Sequence, residues 1–303
     1  MQILFSLNYH TFFYRLCLPI TIIFLSVGLV LAASQLFEQP LTKSHQGILD
    51  LSQWNTDKQP KAQLNGEWAF VWDELISTNE ATLEKIKNAR HFIDLPSTWN
   101  QMNYEGYALP GQGKATLLLA VTPPNNAQNF VIKVPVLTNQ FQLYINGKLK
   151  VKTDNFGSSF APLSNNERIQ YISFSRDGYD YNKPIIFMFH LINHRHRDGG
   201  MWEALSITSQ EHKNVLTSSP IILESSISFL LCTISILMLI RAVREHQVSF
   251  LYLAIFTALM AIRAGTVNER LFFTFLGIHQ WQTQQTIEYL TIYATVPFFA
   301  LYL

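Results

Sequence analysis

Cysteine is nearly absent from this sequence of 303 residues, which contains only Cys17 and Cys232, both within apolar runs. The long polar stretch between them has no cysteine, which excludes a disulfide framework and a cysteine-based zinc site there. Charged residues are also scarce, at 14% against roughly 25% in an average soluble domain. Because the formal net charge is only +1, composition offers no electrostatic reason to expect a nucleic-acid partner.

Long apolar runs are what the sequence has instead. The first, Leu16–Ser34, carries no charge, follows Arg15 and is long enough to cross a bilayer. We therefore expect residues 1–34 to be a signal peptide or an uncleaved signal anchor. Both alternatives export the segment that follows, residues 35–218.

Three further apolar runs follow at short spacing, at about 220–240, 248–266 and 286–303. Few charges interrupt them, which is typical of transmembrane hairpins. Arg241 and Arg244 lie in the tight loop between the first two of these runs, so the positive-inside rule predicts that this loop is cytoplasmic. The sequence ends inside the last run, and we therefore expect it to be either a fragment of a membrane protein or the product of a truncated reading frame.

Between residues 35 and 218 the hydrophobic pattern has the two-residue period of half-buried strands. The large apolar side chains of "LNGEWAFVW" fall on alternate positions, and similar runs supply at least six strand candidates. Asn146-Gly147 is a strong hairpin signal, because both turn positions need positive φ. Only Ala81–Arg90 has helical character. Many short strands separated by turn signals predict an all-β jelly roll or β-sandwich, followed by transmembrane α-helices.

Four segments of this region carry a family resemblance: "LNGEWAF" at 64–70, "IDLPSTWN" at 93–100, "KATLLLAV" at 114–121 and "LYINGKL" at 143–149. Their order resembles the galactose-binding-like jelly roll that precedes the barrel in family-2 glycoside hydrolases. The arrangement of the whole chain resembles bacterial seven-transmembrane receptors with diverse intracellular signalling modules, in the form that has the type 2 extracellular domain.

This resemblance implies a galactose-binding-like domain at 35–218 and the first three helices of a seven-helix region at 219–303. It also implies a place in the bacterial inner membrane, with 35–218 in the periplasm. In that family the helices lead to a cytoplasmic output module, which is a histidine kinase, a diguanylate cyclase or a nucleotide cyclase. The chain departs from the family pattern, since it has three of the seven helices and no output module.

Aromatic residues near amides are the first candidates for ligand contact. Trp99, Tyr104 and Tyr107 lie in a loop-like stretch rich in glycine, asparagine and glutamine. Exposed rings in such a loop would suit stacking on a sugar, with amides to bond its hydroxyl groups. The alternative is that Trp99 belongs to the hydrophobic core.

The stretch Asn193–Trp202, "NHRHRDGGMW", is the densest cluster of polar side chains. Its two histidines are spaced like metal ligands on a strand, but the spacing implies no third ligand, and no metal site is expected. A structured turn is the alternative, with Gly199 and Gly200 supplying backbone angles that other residues avoid and Trp202 packed at the sandwich edge. Arg195 or Arg197 is a candidate for ligand contact, because the guanidinium group pairs well with carboxylates.

Three charged residues fall inside the apolar runs: Glu224, Arg263 and Glu288. The predicted topology places them at similar depth in the outer leaflet, where charges tend to pair or to line a cavity. The alternative is that each lies at the interface with its charge directed to water. Our hypothesis is that Arg263 bridges the two glutamates.

These observations together predict a membrane sensory receptor whose exported sandwich binds a small ligand, with carbohydrates as the leading class. An accessory carbohydrate-binding protein, or an envelope assembly protein without signalling, is the alternative. We expect no enzyme activity, because glycosidases need paired carboxylates across a cleft, usually on a further domain. No catalytic residue or cofactor is expected. The expected partners are the ligand, the lipid bilayer, the output module and a second copy in a homodimer.

Overall fold

The structure is a computed structural model and describes residues 42–303 except 138, 154–155, 159–168, 178–179, 181–182, 195, 268 and 279. The expected signal peptide or anchor, residues 1–34, lies outside the described residues. Contacts divide the chain into two compact units, one within Gln39–Thr217 and the other containing Ser218–Leu303.

The first unit is mostly β-structure. Its strands are β1 Ile48–Asp50, β2 Lys61–Gln63, β3 Gly66–Trp72, β4 Phe92–Leu95, β5 Ser97–Thr98, β6 Asn103–Tyr104, β7 Tyr107–Ala108, β8 Gly113–Thr122, β9 Asn129–Val134, β10 Gln140–Ile145, β11 Lys148–Lys152, β12 Gln170–Ser175, β13 Ile185–Asn193, β14 Gly200–Met201 and β15 Ser206–Ser209. The larger sheet has the order β11-β10-β13-β8-β3-β4, and β1 joins it parallel to β8. The smaller sheet has the order β12-β9-β15-β2, and all its pairs are antiparallel.

The two sheets share one hydrophobic core, which gives the sandwich-like arrangement that the strand pattern predicts. Phe187 of β13 and Phe174 of β12 meet edge to face across the sheets, with ring centroids 6.1 Å apart. Trp68 of β3 and Phe130 of β9 are fully buried in the same core. Because the side-chain period of a strand is two, the alternation seen in the sequence places these large residues on the inner faces.

The outer face of the larger sheet has a second, smaller core. Leu118 and Met188 are buried there against Ile86 of the short helix α1, Leu83–Lys87. This helix is the only part of the predicted helical segment 81–90 that is helical, and Thr82 caps it by accepting from the Lys85 amide at 3.1 Å. The helix explains why β8 is apolar on both faces.

The second unit is helical. Its helices are α2 Asn214–Glu245, which begins at the end of the first unit, α3 Val248–Thr266, α4 Leu271–Leu276 and α5 Trp281–Tyr302. Among the described residues, two helical segments are long and apolar enough to cross a membrane, Gln210–Glu245 and Val248–Thr266. Residues 286–302 of the predicted run at 286–303 lie in α5, and the crossing of a membrane by this run stays a prediction. The sequence did not indicate α4.

Small residues line the contact of α3 with its neighbours. Ala254, Ala261 and Gly265 are buried at helical spacing on α3. Ser235 and Ser228 of α2 donate to the carbonyl oxygens of Ala254 and Ala261 at 2.7 and 3.3 Å. Small side chains with interhelical hydrogen bonds are typical of helices that pack closely in a bilayer.

Candidate functional site

The loop after β13, rich in histidine and arginine, is a turn that asparagine side chains fix from two sides. Asn193 accepts from the His196 amide and donates to the His196 carbonyl oxygen, both at 2.9 Å. Asn100 accepts from the Gly199 amide at 2.9 Å and donates to the carbonyl oxygen of Arg197 at 3.3 Å. Side-chain amides that bond backbone groups in this way order a loop without any ligand.

Trp99 belongs to the core, and the expectation that it contacts a ligand is corrected here. Its side chain is 0% exposed, and its ring meets that of Trp72 edge to face at 5.4 Å. Its Nε1 donates to the carbonyl oxygen of Pro110 at 2.9 Å. Because its apolar surface is packed and its N–H is hydrogen-bonded, Trp99 presents no atom to a ligand.

The two tyrosines do reach the surface, on the small hairpin formed by β6 and β7. Tyr107 is 51% exposed, and its ring lies 5.9 Å from the half-buried ring of Tyr104. The His91 ring lies 4.3 Å from Tyr104, and His91 Nε2 lies 3.6 Å from Glu105 Oε1. We call His91, Tyr104 and Tyr107 the aromatic shelf. Burial, and then the charge of Glu105, raise the pKa of Tyr104 above its ordinary value.

The arginines of the loop are only partly described. Arg195 lies outside the described residues, and Arg197 is exposed. Trp202 is 48% exposed, so the expectation that it packs into the sandwich edge is wrong; its ring instead meets the His196 ring at 5.0 Å. In the part of the chain that the structure describes, no group of three histidine, cysteine or acidic side chains is placed to hold a metal ion.

A cavity lies at the other end of β13, beside its first residues Ile185 and Ile186. β13 has nine residues, so about 26 Å of strand separates this cavity from the loop that follows Asn193. Its volume is about 520 Å³, within the range of small-molecule sites. We call it the hairpin cavity, and its polar lining includes Thr78, Asn146, Lys148, Arg176, Asp180 and Lys183.

The β10–β11 turn forms one wall of the hairpin cavity and is held rigidly. Asn146 and Gly147 have φ values of 46° and 74°, the left-handed conformation that the sequence predicts for this turn. Asn146 Oδ1 accepts from the Ile186 amide at 2.7 Å, and the Asn146 amide donates to the Ile186 carbonyl oxygen at 2.9 Å. These bonds tie the tip of the hairpin to the beginning of β13.

Arg176 forms the buried part of the lining. It follows β12 directly and is 2% exposed, and its Nη1 donates to the carbonyl oxygen of Pro124 at 3.4 Å. Lys183 Nζ lies 3.7 Å from Asp180 Oδ2 at the outer part of the cavity. Sequence reasoning missed this site, although one signal was present. Arg176 continues the alternation that buries Phe174, which predicts a cation on an inward-facing position.

Strand β12 also bonds to the first turn of α2 and to the short 3₁₀ turn Gln210–His212 that precedes it. The Tyr171 hydroxyl donates to the carbonyl oxygen of Leu216 at 3.0 Å, and the Ser173 hydroxyl donates to Gln210 Oε1 at 3.4 Å. Leu216 is 2% exposed. We call these four residues the helix junction. The first turn of the long apolar helix is therefore built into the β unit.

The charged residues of the helices come together, but with partners that differ from the hypothesis. Arg263 Nη1 donates to the backbone carbonyl oxygen of Glu288 at 3.1 Å, while Arg270 Nη2 lies 3.5 Å from the Glu288 carboxylate. Glu224 Oε1 accepts from the Glu269 amide at 3.2 Å. Arg263 thus does not bridge two carboxylates, and Arg270 forms the ion pair. Sequence reasoning missed Arg270 because it lies in a loop between apolar runs.

No family model matches this sequence, and no curated protein matches it. Some solved structures are similar to part of the chain. A calcium-binding mutant of Bacteroides uniformis beta-glucuronidase 2 is 18% identical, with a TM-score of 0.37 over 49% of this chain and 18% of that one. The beta-glucuronidase of an uncultured Clostridium sp. is 14% identical, with a TM-score of 0.36 over 50% of this chain and 29% of that one. The beta-glucuronidase of Ruminococcus gnavus is 11% identical, with a TM-score of 0.36 over 49% of this chain and 28% of that one. This chain therefore spans less than a third of each of these proteins.

Proposed function

We propose that this chain is the sensing part of a membrane receptor. Its β unit is a galactose-binding-like jelly roll in the bacterial periplasm, its apolar helices lie in the inner membrane, and its output module is cytoplasmic. The helix junction is the observation that carries this proposal. Tyr171 and Ser173 bond residues of the segment that begins the long apolar helix, so a displacement of β12 reaches that helix directly.

The mechanism is a shift between two conformations of the receptor. A ligand that binds one conformation of the β unit more tightly shifts the population toward that conformation, by at most its difference in affinity. Carbohydrates are the leading ligand class, because the aromatic shelf offers an exposed ring and a phenolic hydroxyl side by side. A second copy of the chain completes the receptor as a homodimer.

Two alternatives make different predictions. A carbohydrate-binding accessory or envelope assembly protein would bind ligand or partner without any change in the helices. A glycosidase would turn over substrate, which needs two carboxylates placed across a cleft. We propose that the chain has no such activity, and incubation with a panel of nitrophenyl glycosides tests this directly.

Cys232 provides a reporter for signalling, since it is exposed on α2. The full chain carrying Cys17→Ser is labelled at Cys232 with an environment-sensitive fluorophore and placed in lipid nanodiscs. Galactose, glucose, galacturonate, galactose 6-phosphate and inorganic phosphate are titrated while heat of binding and fluorescence are recorded. A receptor gives both binding and a saturable change in fluorescence. Binding without that change supports the accessory alternative, and absence of binding to the whole panel contradicts the carbohydrate proposal.

A further inference from the structure

We infer that the aromatic shelf and the Glu105 carboxylate beside it bind an amino sugar, a monosaccharide unit that carries an ammonium group. The inference rests on the proposed function for its choice of a carbohydrate ligand, and it adds the charge of that ligand and the contacts that hold it. The observations that carry it are two tyrosine rings, one carboxylate and the turn that joins them.

The hairpin of β6 and β7 places the two tyrosines on one face. Tyr104 pairs directly with Tyr107, and directly opposed residues of an antiparallel pair project to the same side. Glu105 and Gly106 form the turn between them, with φ values of 50° and 91°. Asn103 Oδ1 accepts from the Gly106 amide at 3.0 Å, which holds this turn. The hairpin therefore presents two rings and a carboxylate within one short stretch of chain.

The Tyr104 ring is held by neighbouring rings, and the Tyr107 ring is open to water. The Phe70 ring meets Tyr104 edge to face at 6.2 Å, and the His91 ring lies 4.3 Å from it. Tyr107 is 51% exposed, and the planes of the two tyrosine rings are inclined by 77°. The rings thus form a corner in which a sugar can lay its C–H groups on one ring while its edge meets the other. Because Tyr104 is already packed, little side-chain freedom is lost when a ligand binds.

The carboxylate beside this corner is accessible to a ligand. The Glu105 side chain is 58% exposed, and its Oε1 lies 3.6 Å from His91 Nε2, which is longer than a hydrogen bond. Burial raises the pKa of Tyr104, and the charge of Glu105 adds to that rise, so the carboxylate lies close enough to act on the Tyr104 hydroxyl. The negative charge and the rings therefore belong to one site.

An ammonium group gains from both parts of this site. The face of an aromatic ring is electron-rich and attracts a cation, and the Glu105 carboxylate attracts the same charge. A carboxylate or phosphate group on the ligand would instead be repelled by Glu105. A neutral sugar would contact the rings without using the carboxylate. The sugar that uses every part of the site is one whose amine is protonated.

Calorimetry on the full chain in nanodiscs tests the inference at pH 7, where most of the amine of galactosamine is protonated. The probes are galactosamine, N-acetylgalactosamine, galactose, galacturonate and tetramethylammonium chloride. We expect galactosamine to bind at least about fivefold more tightly than galactose or N-acetylgalactosamine, and added salt to reduce this difference. Equal affinity for galactosamine and galactose, tighter binding of galacturonate, or no binding of any sugar would overturn the inference. Tetramethylammonium that binds as tightly as galactosamine would overturn the assignment of a sugar, because the ammonium group alone would then suffice.

Glu105→Gln and Glu80→Gln form a matched pair, since both glutamates are exposed turn residues and Glu105 is the one beside the shelf. We expect Glu105→Gln to weaken galactosamine at least about fivefold and to leave the affinity for galactose within about twofold. Glu80→Gln should change neither affinity by more than about twofold. Equal effects of the two variants on galactosamine would contradict the role of Glu105.

Two variants of Tyr107 separate the ring from its hydroxyl. Tyr107→Phe keeps the ring, and we expect its affinity for galactosamine to stay within about threefold of the wild-type value. Tyr107→Ala removes the ring and should weaken galactosamine at least about tenfold. Because Tyr107 is half exposed, both variants should melt close to the wild-type temperature. Wild-type affinity in a folded Tyr107→Ala would show that the sugar binds elsewhere.

The outcomes separate this inference from the receptor proposal. If galactosamine binds with the expected preference but the label on Cys232 does not respond, the shelf assignment stands and the receptor proposal fails. If a neutral or acidic sugar binds more tightly and the label responds, the receptor proposal stands and the amino-sugar assignment fails.

Discussion

Replacing Gly199 by alanine tests whether the loop after β13 is a built turn. A Cβ atom at position 199 would lie 2.0 Å from Trp99 Cζ2, 2.2 Å from Trp99 Cε2 and 2.6 Å from the Gly111 carbonyl oxygen. Carbon atoms in favourable contact are about 3.5–4.0 Å apart, so the indole would have to move by more than about 1 Å.

Trp99 has little room for that movement. Its Nε1 bonds the Pro110 carbonyl oxygen at 2.9 Å, and its ring packs against Trp72 at 5.4 Å. Overpacking of a core costs about 1–3 kcal/mol, and loss of the indole hydrogen bond adds about 0.5–1.5 kcal/mol. We expect Gly199→Ala to lower the free energy of unfolding by about 2–4 kcal/mol. For a domain of this size, the melting temperature would fall by roughly 5–15 °C.

Tryptophan fluorescence of the full chain in detergent follows this melt. Gly157→Ala is the control, because among the described residues its Cβ would meet no atom within 4 Å, and its φ of +87° is what opposes the change. That variant should lose only about 1–2 kcal/mol. If Gly199→Ala melts within about 2 °C of the wild-type chain, the steric account of this loop is refuted.

Two further predictions concern buried polar groups. Burial lowers the pKa of His190, whose Nε2 lies 3.0 Å from the Ile76 carbonyl oxygen. The contribution of His190 to the free energy of unfolding is therefore complete at a pH above its unfolded-state pKa of about 6.5. It is lost as the pH falls from there toward the lowered pKa of the folded state. Urea titrations should show that the wild-type chain loses stability between pH 7.5 and 5, and that His190→Gln loses less stability over the same range. Equal losses in the two chains would contradict this role of His190. In the helical unit, Arg270→Gln should destabilise more than Arg263→Gln in SDS titrations, since Arg270 pairs with the Glu288 carboxylate. The reverse order would show that the pairing is wrong.

Local patterns predicted the strands well because each depends on its own residues. The alternation around Trp68 predicts that Trp68 and Phe70 of β3 face the core, and Asn146-Gly147 predicts the turn between β10 and β11. The two-residue strands β5 and β14 escaped prediction, because their pairing of Thr98 with Gly200 joins residues about a hundred positions apart. No window of sequence contains both.

The candidate sites were predicted less well, for the same reason. An aromatic loop residue has the same local pattern whether it is exposed like Tyr107 or buried like Trp99, and distant packing decides. The hairpin cavity needs the β10–β11 turn, Arg176 and the beginning of β13 to meet. The ion pair of Arg270 likewise depends on how a short helix directs the chain toward α5. Residue type was enough to identify candidate binding residues, but the tertiary structure determines which residues they contact.

The response of labelled Cys232 in the wild-type chain and in Tyr171→Phe tests the central claim most directly. Tyr171→Phe removes one hydroxyl and its bond to Leu216, and it leaves the hairpin cavity and the aromatic shelf unchanged. With the panel sugar that binds most tightly, the account predicts a saturable fluorescence change in the wild-type chain. It predicts a clearly smaller change in Tyr171→Phe at an unchanged Kd. Full binding with no fluorescence change in the wild-type chain, or an equal change in both, would contradict it.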